Sequence, residues 1–189
     1  EYFMQNQTNY FKLIHTKQVI PGGTNTMRTK EVVYGALLTA LALLIPLAFG
    51  GFLSVMIPPF SATLASHLPV MIAMLVSPRV AIMVGLGSSL GFFIRLGPII
   101  AARAGVHAIF GAIGALAFKK GLPFSKVLIF TLPIHAIGEA LIVLPFGFSL
   151  HKAGVVVGIG TALHHLIDAV ITLAVVASIG LVQKLAKDK

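Results

Sequence analysis

Residues 98–118 read PIIAARAGVHAIFGAIGALAF. At ~1.5 Å of rise per residue, an α-helix of this length covers ~30 Å, the hydrocarbon thickness of a bilayer. The stretch is strongly polar at only two positions, Arg103 and His107, which stand four residues apart and share one helix face. An arginine facing lipid is costly, so such a residue turns to the protein interior or to a water-filled cavity. The stretch predicts a membrane helix with one polar, inward face.

The same pattern continues on both sides. Apolar blocks at 31–49, 61–77, 79–96, 98–118, 124–147 and 153–183 predict six transmembrane helices with short connections. The fold class is therefore all-α, a polytopic membrane bundle. Composition agrees: 57% of the 189 residues are hydrophobic and 10% charged, against about 25% charged in a soluble domain, and the mean hydropathy is +0.98. Short alternating blocks, the mark of a membrane barrel, are absent from the sequence. Residues 1–26 are polar, lack helical periodicity and end beyond a Pro-Gly-Gly turn. They read as an expression leader or upstream extension, with the folded domain at 27–189. The segment 50–60, GGFLSVMIPPF, is too short to span and reads as an outer loop or cap.

The net charge of +9 comes from basic residues lying between the apolar blocks, a topology signal rather than a nucleic-acid face. With the N-terminus inside, the cytoplasmic side holds Lys12, Lys17, Arg28, Lys30, Arg79, Lys119, Lys120, Lys126, Lys184, Lys187 and Lys189. The other side holds Arg95, Arg103 and Lys152. Both termini are expected in the cytoplasm. The chain has no cysteine, which excludes disulfides, thiolate metal sites and a cysteine nucleophile.

Polar residues recur inside the spans at helical spacing. Arg103 and His107, His135 and Glu139, and His164 and Asp168 are each i, i+4 pairs. The second span adds Ser61, Thr63, Ser66 and His67, and the third adds Ser88, Ser89 and, at its end, Arg95. From the predicted orientation, most of this set lies between the outer surface and the midplane, above an apolar inner half. The expected site is an outward-facing pocket formed by Ser66, His67, Arg95, Arg103, His107, His135, Glu139, His164 and Asp168. The guanidinium and imidazoles suit a carboxylate, while Glu139 and Asp168 either orient the basic groups or accept from ligand donors. His165, next to His164, is expected to face elsewhere and to serve packing. On the first span, Ala36 and Ala40 form a small-xxx-small face that permits close helix approach, either within the bundle or with a partner.

With MRTKEVVYGALLTALALL at 27–44, the Pro-containing loop VMIPPF at 55–60, six short-looped spans and basic ends, residues 27–189 resemble a substrate-binding S-component of an energy-coupling factor (ECF) vitamin transporter. That resemblance implies a multi-pass protein of a bacterial cell membrane that captures a water-soluble vitamin at its outer face. It implies docking of the Ala36–Ala40 face on a transmembrane T-component, and ATP hydrolysis by two cytoplasmic ATPase subunits. The chain carries no P-loop and is expected to bind no cofactor and no metal of its own. The basic pocket favours niacin, then pantothenate. An aminopyrimidine or pyridoxine-type substrate is the alternative within the same fold.

Two other classes compete. An intramembrane hydrolase would use Ser88 or Ser89 of GLGSSLG with a histidine base, but the Gly-x-Ser-Gly pattern is not met and glycine and serine also ease helix packing. A metal carrier would use the histidines, but within the spans they fall on separate helices except for the adjacent His164 and His165, and no His-x-x-x-His spacing occurs.

Overall fold

The computed structural model of the protein describes residues 27–49 and 51–180. The polar segment 1–26 and the basic residues Lys184, Lys187 and Lys189 lie outside the described residues. Among the described residues six α-helices follow one another: α1 Thr29–Phe49, α2 Leu68–Ala73, α3 Pro78–Leu96, α4 Pro98–Lys119, α5 Phe124–Ile142 and α6 Gly160–Ser178. A π-helical stretch, Lys152–Ile159, leads directly into α6. Among the described residues, five helical segments are long and apolar enough to cross a membrane. Exposed apolar side chains such as Leu37, Leu86, Ile94, Ile109, Ile137 and Val170 form the outer faces of these helices, as expected where the surroundings are lipid tails.

The block read as the second span, 61–77, is not one long helix. Its first residues belong to a β-hairpin, with β1 Ser54–Ile57 antiparallel to β2 Phe60–Thr63 across the turn Pro58-Pro59. Ala65, at φ 63°, then turns the chain into α2, which has only six residues. The apolarity of this block serves protein packing rather than lipid contact: Pro69, Val70, Met71, Ile72 and Ala73 are all buried. β1 is largely exposed, while Phe60, Ser61 and Thr63 of β2 are buried. The hairpin thus turns one strand onto the helices.

Local chemistry sets the helix limits. Ser77 caps α3 by accepting from the Val80 amide at 3.4 Å, with Pro78 at the first helical position. Gly97, at φ 85°, separates α3 from α4, a backbone geometry that a side chain disfavours. The resulting α3–α4 pair packs closely. A Cβ on Gly85 would fall 2.3 Å from the Ala108 amide nitrogen, so only glycine permits this approach. Gly87 and Gly91 bring α3 against Thr39 and Leu43 of α1.

The interior divides by polarity along the bundle. An apolar core of Val70, Met71, Met74, Val80, Val84, Phe110, Val127 and Leu128 occupies the end where α3 and α5 begin. The buried charged and histidine side chains lie towards the hairpin end, whereas Thr131 and Thr172 sit against the apolar core.

Candidate functional site

Two buried carboxylates organise the hairpin end. Glu139 of α5 is 3% exposed. Its Oε2 accepts from Arg103 Nε at 3.0 Å, from Arg103 Nη2, and from Thr161 Oγ1 at 2.6 Å. Its Oε1 lies 3.2 Å from His135 Nε2 and 3.6 Å from His107 Nε2. One carboxylate therefore joins α4, α5 and α6. Such a charge survives burial because it is paired with Arg103 and accepts hydrogen bonds on Oε2.

Asp168 of α6, fully buried, holds the segment between the hairpin and α2. Its Oδ1 accepts from the Ala65 amide at 2.8 Å, and its Oδ2 accepts from the His67 amide at 3.0 Å. Oδ2 also lies 3.2 Å from His164 Nε2 and 3.0 Å from His67 Nδ1. The His67 approach misses hydrogen-bond angles, so that nitrogen has proximity without a directed bond. His164 Nε2 reaches the Thr63 carbonyl of β2 at 3.1 Å. Asp168 thus orients protein groups, one of the two roles expected for it.

Arg103 ties the hairpin to the helices. Nη1 donates to the Pro59 carbonyl at 2.9 Å and Nη2 to the Ser61 carbonyl at 3.4 Å, while the guanidinium carbon lies 5.2 Å from the centre of the Phe60 ring. Of its five N–H groups, most are occupied by Glu139 and the hairpin. Its charge faces Glu139 directly. The free bidentate clamp expected from the sequence is already largely engaged.

Around these groups lies a cleft of about 250 Å³ including its mouth, lined by Ser61, Ser66, His67, Phe92, Ile100, Arg103, Ala104, His107, Glu139 and His164. The space inside it that a water-sized sphere can enter is only about 10 Å³, room for about one water, so a one-ring solute fits only when the lining parts. Phe92, Ile100 and Ala104 give it an apolar wall. Ser66 Oγ is buried with no partner among the described residues. A buried hydroxyl without a partner is costly, and here it borders the cleft.

Of the expected site residues, Ser66, His67, Arg103, His107, Glu139 and His164 line the cleft. His135 and Asp168 stand behind them as buried supports. Arg95 does not join the site: it is exposed in the last turn of α3, with its Nη2 on the side of Gly51. His165, expected to face away from the site, does not line the cleft. It is fully buried, its Nδ1 lies 3.0 Å from His135 Nδ1, and its Nε2 donates to the Leu128 carbonyl at 2.9 Å. Thr161 belongs to the network as well. It lies on one helical seam with His165, Asp168 and Thr172, a 4-3-4 spacing present in the sequence, and all four residues are at most 1% exposed.

The serines of α3 serve the helix interface. Ser88 Oγ lies 3.0 Å from His107 Nδ1, and Ser89 Oγ donates to the Ala101 carbonyl at 2.8 Å. Neither lines the cleft. On α1, Gly35 is buried and Thr39 half-buried, whereas Ala36 and Ala40 point outward. The small-residue face is therefore not used for packing within the bundle.

No protein-family model and no solved structure matches the chain. The niacin transporter NiaX of Lactococcus lactis subsp. cremoris (strain MG1363) is 35% identical in an alignment of 162 residues. The alignment covers 77% of this chain and 72% of that protein. Together with the apolar helices, this relationship shows a multi-pass protein of a bacterial cell membrane and a transport subunit rather than an enzyme: the chain belongs to the substrate-binding S-components of ECF vitamin transporters.

Proposed function

We propose that the chain captures niacin at the outer face of the membrane and delivers it inward through an ECF complex. The observation that carries the reading is the 35% identity to a niacin transporter, and the chemistry of the cleft supports it. Niacin pairs one flat ring with one carboxylate. Phe92, Ile100 and Ala104 offer the ring an apolar wall, while Ser66 Oγ, the cleft-side imidazoles and the remaining Arg103 N–H offer donors to the carboxylate. In this reading both termini are cytoplasmic, the hairpin faces outward, and the apolar core closes the inner end. The exposed Ala36–Ala40 face docks on a transmembrane T-component, and two ATPase subunits supply the energy.

The test is titration of the purified chain with niacin, nicotinamide, pantothenate and hydroxymethylpyrimidine. Niacin should bind tightly and nicotinamide, its neutral amide, at least ~100-fold more weakly, since a site lacking the charged partner loses a charge-assisted hydrogen bond of about 1.5–3 kcal/mol and gains a misplaced donor. Equal affinity for acid and amide would sink the carboxylate reading. Preference for the pyrimidine would select the alternative substrate class.

A further inference from the structure

The tautomers around His135 follow from its hydrogen-bond partners. His165 Nε2 lies 2.9 Å from the Leu128 carbonyl and so carries a proton. In the neutral ring its Nδ1 is then an acceptor, and His135 Nδ1, 3.0 Å away, must be the donor. A neutral His135 is left with a lone pair on Nε2, 3.2 Å from Glu139 Oε1. Two acceptors face one another in a buried site only when a cation, either a proton or a metal ion, joins them.

The surrounding geometry suits a metal ion in that role. Glu139 Oε1 is 3.2 Å from His135 Nε2 and 3.6 Å from His107 Nε2. Two ligands on one tetrahedral zinc, each at ~2.0–2.1 Å, stand ~3.3 Å apart, between these two separations. His67 supplies a third imidazole: ring nitrogens of His67, His107 and His135 lie within 4.8 Å of one another, and all three residues are buried. Its ring meets those of His107 and His135 nearly edge-on, with centroids 4.7 and 4.6 Å apart. Two of the three are held at Nδ1, His107 by Ser88 Oγ and His135 by His165, each at 3.0 Å, while His67 Nδ1 lies 3.0 Å from Asp168 Oδ2 without a directed bond. Neighbours of this kind orient metal-binding histidines.

We propose that His67, His107 and His135, with Glu139 Oε1, form a binding site for a divalent transition metal of the zinc or cobalt class. The ligands come from the loop before α2, from α4 and from α5, so the fold assembles a set that no local spacing in the sequence displays. The ion would sit in the wall of the cleft, because His67, His107 and Glu139 all line it. There it would add the positive charge that Glu139 removes from Arg103. This consequence for an anionic vitamin rests on the niacin reading. The site itself does not.

The experiment strips the detergent-purified full chain with EDTA and measures zinc binding by equilibrium dialysis with zinc chloride alone. One zinc per chain is expected, with affinity at least ~10-fold lower in His107→Gln and His135→Gln. Cobalt(II) added to the unaltered chain should give the intense visible bands of tetrahedral coordination, a readout that does not depend on a variant folding. No zinc binding, zinc binding unchanged in both variants, or a cobalt spectrum without those bands would overturn the site. Zinc lost in His164→Gln but kept in His107→Gln would also overturn it, placing the ion on His67, His164 and Asp168. Niacin titrations with and without EDTA separate the two readings. Zinc bound without any niacin affinity removes the vitamin reading alone, and niacin affinity indifferent to EDTA in a zinc-free chain removes the metal alone.

Discussion

Arg103 and Glu139 form a buried ion pair, Nε to Oε2 at 3.0 Å, that binds α4 to α5 while the same guanidinium holds the hairpin carbonyls of Pro59 and Ser61. Both side chains are at most 4% exposed. Glu139→Gln leaves a guanidinium buried without its counter-charge, and breaking a buried pair on one side costs about 3–5 kcal/mol. The variant is expected to lose thermal stability markedly in detergent, as measured by the loss of monodisperse protein on heating. A melting profile like that of the unaltered chain would show that the pair does not hold these helices together.

Asp168 acts on a second contact, between the hairpin and α2. It receives the amides of Ala65 and His67 at 2.8 and 3.0 Å. Asp168→Asn keeps the shape but replaces one acceptor oxygen by a donor, which must face an amide or an imidazole. Hydrogen exchange at Ala65 and His67 should accelerate at least ~10-fold, as expected when about 1.4 kcal/mol or more of local protection is lost. Exchange should remain unchanged in the apolar core around Phe110. Unchanged protection at both amides would mean that the loop is held by something other than Asp168.

The sequence displayed the polar pairs clearly because i, i+4 spacing on an apolar helix needs no tertiary knowledge to interpret. Arg103 with His107, and His135 with Glu139, do share inward faces. The hairpin was hidden for a physical reason. Hydropathy measures apolarity, and α2 is apolar because neighbouring helices bury it, so 61–77 looked like another span. The contact of His165 with His135 was not visible, because it joins α6 to α5 and depends on how the two helices pack. On α6 the buried sector is wide enough for both His164 and His165, and the seam Thr161–His165–Asp168–Thr172 was available as a 4-3-4 spacing. Arg95 was grouped with the site by its position near the end of a span, but its side chain is exposed there.

That placement gives a negative control with a definite outcome. Arg95 is exposed and does not line the cleft, so Arg95→Ala should leave vitamin affinity within ~2-fold, the range in which surface substitutions remain. A loss of ten-fold or more in a titration would require Arg95 to reach the ligand.

Gly85 offers a test of the α3–α4 seam. A Cβ there would meet the Ala108 backbone at 2.3–2.5 Å, and backbone cannot move aside as a side-chain tip can. Gly85→Ala is therefore expected to destabilise by about 1–3 kcal/mol, the usual cost of overpacking. Gly154→Ala, at a glycine with open space around it, serves as the comparison. Equal thermal stability of the two variants would show that the helices separate without cost.

The outward face of α1 separates capture from delivery. Ala36 and Ala40 are exposed, whereas Gly35 and Thr39 on the neighbouring face meet α3. A large side chain at either alanine meets nothing inside the described bundle, but it would hold a partner helix away from a surface whose small residues allow close backbone approach. Ala36→Phe and Ala40→Phe should therefore keep vitamin affinity within ~2-fold, as for other substitutions at exposed positions. In cells that express the remaining transporter subunits, the same variants should lose most vitamin uptake. If affinity in the purified chain fell together with uptake, the alanines would be acting through the fold. If neither changed, the docking surface would lie elsewhere on the bundle.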